Sequence, residues 1–350
     1  MNNHRVLFIG PRSIQIETTS QPQPAAGQLL VRTLISAISP GTEMLVYRDQ
    51  FPADLPVDAA IPGMGERFAY PLQYGYAVVG EVMAAGVNAD ESWLGQRVFA
   101  FHPHEAFFCA TPDQLIPVPD DIPTELAALL PNMETAVNLV LDAAPKLGET
   151  VIILGQGIVG LLTTALLARF PLQTLITLDA YPLRRALSED LGAHHSLDPA
   201  DPAWANLLTA PSSPPKTDEA NPPGADLILE LSGNPAALDQ AIAWAGYAGR
   251  IVIGSWYGQK QASLNLGGGF HRKRLHLTSS QVSTLAPALT GRWTHLRRLD
   301  AAWDALRTLA DQINTDRLIT HRFPIPHAAD AYSLIDQQTG ETVQVLIDYP

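Results

Sequence analysis

Residues 150–168 read TVIILGQGIVGLLTTALLA, with Gly155, Gly157 and Gly160 between two apolar runs. The order is that of a buried strand, a tight turn and a helix. Each glycine has its own task in such a turn. The first permits the sharp reversal, the second lets the backbone approach a pyrophosphate, and the third lets the helix pack on the strand. Phosphate oxygens then meet the free amides of a helix N-terminus. A second apolar run, 175–179, ends in Asp179, about 20 residues on, where a carboxylate accepts from the hydroxyls of an adenosine ribose. The chemistry is that of holding a dinucleotide. Asp179 favours NAD because it repels a 2′-phosphate, whereas Arg184 and Arg185, a helical turn beyond, leave NADP open. The candidate cofactor contacts are Gly155, Gly157, Ile158, Val159, Gly160, Asp179 and Arg184. Ser232, Gly254 and Ser279 join them at the carboxyl ends of later strands, where open α/β folds bind ligands.

Apolar strands at 151–154, 175–179, 226–231, 251–254 and 275–279 alternate with helical segments, so these residues belong on a doubly wound parallel sheet. The stretch 211–224 interrupts them with many prolines and few apolar residues, which predicts an exposed loop. Earlier, strand-like runs at 28–36, 76–82 and 96–101 are punctuated by Gly and Pro, the mark of an irregular β domain. A helix is predicted over 124–141, and another over 297–312 with Leu299, Trp303, Leu306 and Leu309 at helical spacing. The last apolar run, 343–348, needs a sheet to join. If the first domain is its host, the nucleotide domain is inserted between two parts of the other. The expected division is 1–145, 146–290 and 291–350, the last part returning to the first domain.

With 350 residues and 46% hydrophobic content, the chain suits about two domains. No stretch approaches the roughly 20 apolar residues of a membrane span, and the opening residues begin a strand instead of an export signal, so a soluble, cytoplasmic protein without membrane association is expected. The net charge of −13 and the lack of any basic tract beyond 271–274 argue against nucleic-acid binding. The single cysteine, Cys109, excludes an internal disulfide and any site needing several thiolates.

GQLLVR at 27–32, SPGTE at 39–43, GYAVVGEV at 75–82, GQRV at 95–98, GQGIVG at 155–160 and RLITHRF at 317–323 occur in the order seen in medium-chain alcohol dehydrogenases, and the chain resembles that family over nearly its whole length. The resemblance implies a GroES-like β domain with a Rossmann domain, an α/β protein that commonly forms a homodimer through its Rossmann sheets. SAISPGTE at 36–43, with SSQVS at 279–283, GRW at 291–293 and Arg297–Arg298, resembles a bacterial branch that includes bacteriochlorophyllide dehydrogenase-like proteins. That similarity implies oxidation or reduction at a secondary hydroxyl of a small-molecule substrate.

Zinc-dependent members of the family take a cysteine from a Cys-Gly-Thr-Asp segment, a histidine from a Gly-His-Glu segment and a third ligand just before the Rossmann domain. Here the first two read Pro40–Glu43 and Gly75–Ala77, and the third falls near Pro131 or Asn132. Proline, tyrosine and alanine side chains cannot supply the usual zinc ligation. The four-cysteine structural lobe is also missing, and a zinc-free enzyme is expected. The alternative is an unusual metal site built from His102, His104 and Glu105.

Without a metal, a hydrogen-bond donor or general acid must assist the substrate oxygen. By resemblance, Thr42 occupies the position of a proton-relaying hydroxyl; the alternative is a turn threonine satisfying local backbone. Tyr76 stands where a zinc-ligating histidine would be, and either donates from its phenol or plugs the vacated space. His102 falls at a substrate-lining position with a side chain suited to proton traffic; His104 either shares that role or faces solvent. Glu43 matches an acid beside the lost metal and either orients Tyr76 or a water, or pairs with Arg67 or Arg48. Trp256, Tyr257, Phe270 and Trp293 are candidates for an apolar substrate pocket. The leading expectation is a zinc-independent NAD(P)-dependent oxidoreductase acting on a secondary alcohol or ketone. The alternatives are a quinone or enoyl reductase of the same superfamily and a nucleotide-binding sensor without turnover.

Overall fold

A computed structural model describes residues 2–52, 68–208 and 224–350 and separates into two compact units, Met1–Pro131 with Thr315–Pro350, and Asn132–Asn314. Arg67 and residues 211–223 of the proline-rich stretch lie outside the described residues.

The first unit holds β1 (Asn2–Gly10), β2 (Ser13–Ser20), β3 (Leu29–Ile38), β4 (Val78–Ala85), β5 (Arg97–Ala100), β6 (Phe107–Ala110), β7 (Ile116–Pro117) and, from the end of the chain, β14 (Ile319–Pro324) and β15 (Gln344–Asp348). β1 and β2 form an antiparallel hairpin; the others form one sheet in the order β14-β15-β3-β4-β5-β7, with β6 added on β3. β3 is buried along nearly its whole length because it is paired by β15 and β4, and by β6 at its start. β15 runs antiparallel to β3, from Val345 opposite Ile38 to Asp348 opposite Ile35. Val345, Leu346 and Ile347 are fully buried there, each worth about 1.5–3 kcal/mol, so the terminal apolar run has found the host sheet it needs. Asn132–Asn314 is therefore inserted between the two segments of the first unit. Helices α1 (Thr42–Tyr47) and α9 (Ala328–Gln337) place Met44, Val46, Tyr332 and Ile335 in one cluster with Phe8, Ile38 and Val345.

The helix predicted over 124–141 is two helices, α2 (Thr124–Ala127) and α3 (Leu130–Ala143). Pro131 has no amide hydrogen and its ring excludes a carbonyl four residues earlier, so it suits a first turn and prevents a continuous helix.

The second unit is built on six parallel strands, β8 (Thr150–Leu154), β9 (Thr174–Leu178), β10 (His195–Leu197), β11 (Ala225–Glu230), β12 (Ala245–Ile253) and β13 (His276–Ser279), ordered β10-β9-β8-β11-β12-β13. This is the doubly wound order, with its reversal between β8 and β11. Val151, Ile152, Ile153, Leu227, Ile228 and Leu229 are all fully buried, which explains why the strands read as apolar runs without alternation. α4 (Ile158–Leu167), α5 (Pro182–Asp190), α6 (Ala236–Trp244) and α7 (His295–Leu309) complete the unit. α7 begins two residues before the predicted start because Thr294 caps it, its hydroxyl accepting from the Arg297 amide at 3.1 Å. Its buried stripe is Ala302, Trp303, Leu306 and Leu309, with Arg298 in the same stripe. Among the described residues no helix is long and apolar enough to cross a membrane.

Candidate active site

The fingerprint turn separates three roles among its glycines. Gly155 has φ +91°, and a Cβ there would lie 2.5 Å from the Ser232 Cα; its amide donates to the Leu178 carbonyl at 2.8 Å. A Cβ on Gly160 would sit 2.1 Å from the Gly155 carbonyl oxygen, so helix and strand could not close. Gly157 is different: a Cβ there meets nothing within 4 Å. It is also the N-cap of α4 and has no side-chain hydrogen bond of its own, leaving first-turn amides for an anion. Ile158 is buried and Val159 packs on the core, so both offer backbone amides and not side chains. An open approach beside uncapped amides fits a pyrophosphate.

Asp179 follows β9, largely buried, accepting from the Gln156 amide at 2.7 Å and the Tyr181 amide at 2.8 Å. Each carboxylate oxygen retains accepting capacity for a ribose hydroxyl. Arg184 lies 3.9 Å from Asp179 and stacks on Tyr181. Burial lowers its pKa, while Asp179 and Tyr181 act in the opposite sense. Arg185 donates to the Asp179 carbonyl at 2.8 Å. Neither arginine is simple helix-surface charge.

The other cofactor candidates have further duties. Ser232 donates its amide (2.8 Å) and its hydroxyl to Glu230. A Cβ on Gly254 would come within 2.6 Å of Leu139 and Leu231 methyls, so that glycine serves packing. Ser279 is exposed at the end of β13, and the neighbouring Ser280 donates to Asp142 at 2.6 Å. Trp293 lies under the Arg297 guanidinium, Phe270 packs against the core, Tyr257 donates to Glu230, and Trp256 is exposed.

In the first unit, Thr42 opens α1 and its amide donates weakly to Ser39 Oγ at 3.4 Å. The Tyr76 phenol donates to the same Ser39 Oγ at 2.6 Å. Glu43 is fully buried, and its carboxylate accepts from the Ser39 amide at 2.8 Å and the Tyr332 phenol at 2.5 Å, with His104 Nε2 at 2.9 Å. His104 Nδ1 lies 2.7 Å from Ser36 Oγ, which lies 2.9 Å from the Tyr349 hydroxyl. The imidazole reaches this place because Gly75 has φ +124°; a Cβ there would stand 2.6 Å from the ring. His104 is thus buried instead of solvent-facing. Glu43 reaches Tyr76 through Ser39, and Arg48 pairs with Asp336 at 2.6 Å; Arg67 lies outside the described residues.

His102 Nε2 lies 3.1 Å from Glu105, whose other oxygen accepts from Asn3 at 2.7 Å, and its ring stacks on Phe108 at 3.9 Å. His102, His104 and Glu105 do not form a ligand set: among the described residues no group of three or more His, Cys, Asp or Glu side chains converges as a metal site.

The buried tyrosines make the protein sensitive to alkali. Burial, and then the charge of Glu43, raise the Tyr332 pKa well above its usual value, and burial raises that of Tyr349. Below pH 10 both states are neutral and stability is complete. Above about pH 10 the unfolded tyrosines ionise while the native ones resist, removing about 1.4 kcal/mol per pH unit for each. Urea midpoints should fall from pH 9.5 to 11, and Tyr332→Phe should flatten the slope.

Sequence reading missed Arg298 as an anchor. Its buried guanidinium takes Glu134 at 2.9 and 3.0 Å, Asn138 at 2.7 Å and the carbonyls of Val282 and Thr284 at 2.5 and 3.2 Å. It thereby pins the segment after β13. The available signal was a charge within an otherwise apolar stripe of α7.

Residues 159–298 match the family model described as zinc-binding dehydrogenase. The 2-desacetyl-2-hydroxyethyl bacteriochlorophyllide A dehydrogenase of Cereibacter sphaeroides is 26% identical over 335 residues, 88% of this chain and 94% of the relative. A structure titled as a short chain alcohol dehydrogenase of Escherichia coli, complexed with NADH, superposes with a TM-score of 0.77 at 19% identity over 99% of both chains. A Sinorhizobium meliloti protein bound to NADP gives 0.75 at 20% identity, again over 99% of both.

Proposed function

We propose that the chain is an NAD(P)-dependent oxidoreductase of the medium-chain dehydrogenase/reductase superfamily, which it resembles in sequence and fold, and that it interconverts a secondary alcohol and a ketone with protein groups in place of zinc. The observation that carries the reading is the Tyr76–Ser39 hydroxyl pair at 2.6 Å, at the place where metal-dependent relatives keep a ligand. Bound nicotinamide supplies or accepts the hydride. The Tyr76 phenol turns from Ser39 to the carbonyl oxygen and gives up its proton as negative charge develops there. The Ser39 hydroxyl then donates to the phenolate left behind. Glu43 fixes Ser39 through its amide, and Thr42 offers a second hydroxyl to the substrate oxygen. His102, held by Glu105 at 3.1 Å, supplies an imidazole suited to proton exchange with solvent. Asp179 makes NAD the preferred cofactor.

The working form in this proposal is a cytoplasmic homodimer. β13 is the last strand of its sheet and largely exposed, an open edge of the kind that recruits a second copy.

The test is to strip the protein of metal, titrate it with NADH and NADPH by fluorescence, and follow NADH oxidation with cyclic ketones and conjugated enones. Ketone-dependent oxidation supports the proposal, turnover of enones alone replaces it with a reductase of conjugated double bonds, and binding without any turnover favours a sensor. Tyr76→Phe should lower kcat by roughly 10²–10⁴ and leave NADH affinity unchanged. A variant that keeps its kcat removes Tyr76 from the chemistry.

A further inference from the structure

Glu230 ends β11, the central strand beyond the reversal of strand order, and is fully buried. One oxygen accepts from the Ser232 amide at 2.8 Å and from the Ser232 hydroxyl; the other accepts from the Tyr257 phenol at 2.5 Å. All three partners donate, so the group is engaged as an acceptor-only carboxylate. Ser255 Oγ accepts from the Gly233 amide at 2.9 Å, and Lys260 Nζ donates to the Gly233 carbonyl at 2.9 Å. The loops after β11 and β12 are thus tied together around one carboxylate.

The strand order says which half of a bound cofactor passes over this end of the sheet. Asp179, after β9, takes the adenosine ribose, and the turn after β8 takes the pyrophosphate. The nicotinamide half then extends to the other side, over the carboxyl ends of β11 and β12. The oxidised nicotinamide ring carries a positive charge that the reduced ring lacks, and a buried charge acts through a less polarisable medium than water.

We infer that Glu230 biases the site toward the oxidised cofactor, with Tyr257 and Ser232 as the positioning residues that hold its carboxylate. The inference rests on the cofactor reading above and concerns how the two cofactor forms are told apart, a property that needs no substrate to measure.

Dissociation constants for NAD and NADH, by calorimetry and fluorescence, test it on the full chain. Glu230→Gln should weaken NAD about tenfold more than NADH, whereas Tyr257→Phe, which leaves the charge in place, should weaken both forms alike by a few-fold. Equal losses for both forms in Glu230→Gln, or no loss, would overturn the inference and leave Glu230 a structural group. Should Glu230→Gln fail to fold by circular dichroism, Glu230→Asp, which retracts the charge by one methylene, must lower the NAD preference; an unchanged ratio sinks the inference equally. Failure of the wild-type protein to bind either form would instead overturn the cofactor reading.

Discussion

Gly157→Val should leave the protein folded and cost on the order of 100-fold or more in NADH affinity. The two halves of that statement have separate causes. A side chain at Gly157 enters open space, and the backbone there, φ −67° and ψ −178°, is one any residue adopts. Exchanging an N-cap glycine for valine costs less than about 1 kcal/mol, so thermal unfolding should move by only a few degrees. The same space is where a pyrophosphate must lie to reach the first-turn amides of α4. A valine there displaces it from about two charge-assisted hydrogen bonds, each worth roughly 1.5–3 kcal/mol, which is at least about two decades in affinity. Gly160→Val supplies the contrast: its Cβ would overlap the Gly155 carbonyl oxygen at 2.1 Å, so that variant should fail to fold. Fluorescence titration beside a melting curve separates the cases. A folded Gly157→Val that binds NADH as tightly as wild type would mean that the phosphates do not rest on this turn.

These glycines also mark what a sequence can reveal. Strand, turn, helix and acid lie within 30 consecutive residues, from Thr150 to Asp179, and local chemistry dictates each of them, so the order of these elements was readable in advance. The insertion was readable for a different reason: the run ending at Asp348 is too apolar to stand alone, which forces it onto a sheet formed much earlier. The break at Pro131 was present in the sequence but overridden by the helical spacing around it. The polar interior was not accessible to the same reasoning. Glu43 meets His104 across 61 positions and Tyr332 across 289, and no periodicity links residues so far apart. Glu230 and Tyr257, 27 positions apart, were hidden because a buried carboxylate at a strand end looks like any other acid until its donors are placed. For His104 the sequence left a shared proton role and solvent exposure both open, and the room left by Gly75 explains its burial.

The Glu43 cluster should also give a large stability effect. Glu43→Ala removes the acceptor for the Tyr332 phenol and the Ser39 amide, and the partner of His104 Nε2, at a site with no exposure to solvent. Leaving the buried phenol and amide without their acceptor costs about 1–3 kcal/mol for each donor, a fall in Tm of about 10 °C. Glu43→Gln keeps an acceptor and the volume, and should cost only about 1–2 kcal/mol. Tyr332→Phe removes one of the donors that Glu43→Ala orphans, so the double variant should be more stable than the sum of the single losses predicts, by about 0.5–3 kcal/mol. Urea unfolding of the four proteins measures the coupling. Strict additivity would mean that Glu43 and Tyr332 do not share a hydrogen bond in solution. The catalytic consequence follows by way of Ser39: with its amide released, the hydroxyl that receives Tyr76 loses its fixed place. Glu43→Ala should therefore lower kcat for ketone reduction more than its stability loss explains, with NADH binding intact in the folded protein.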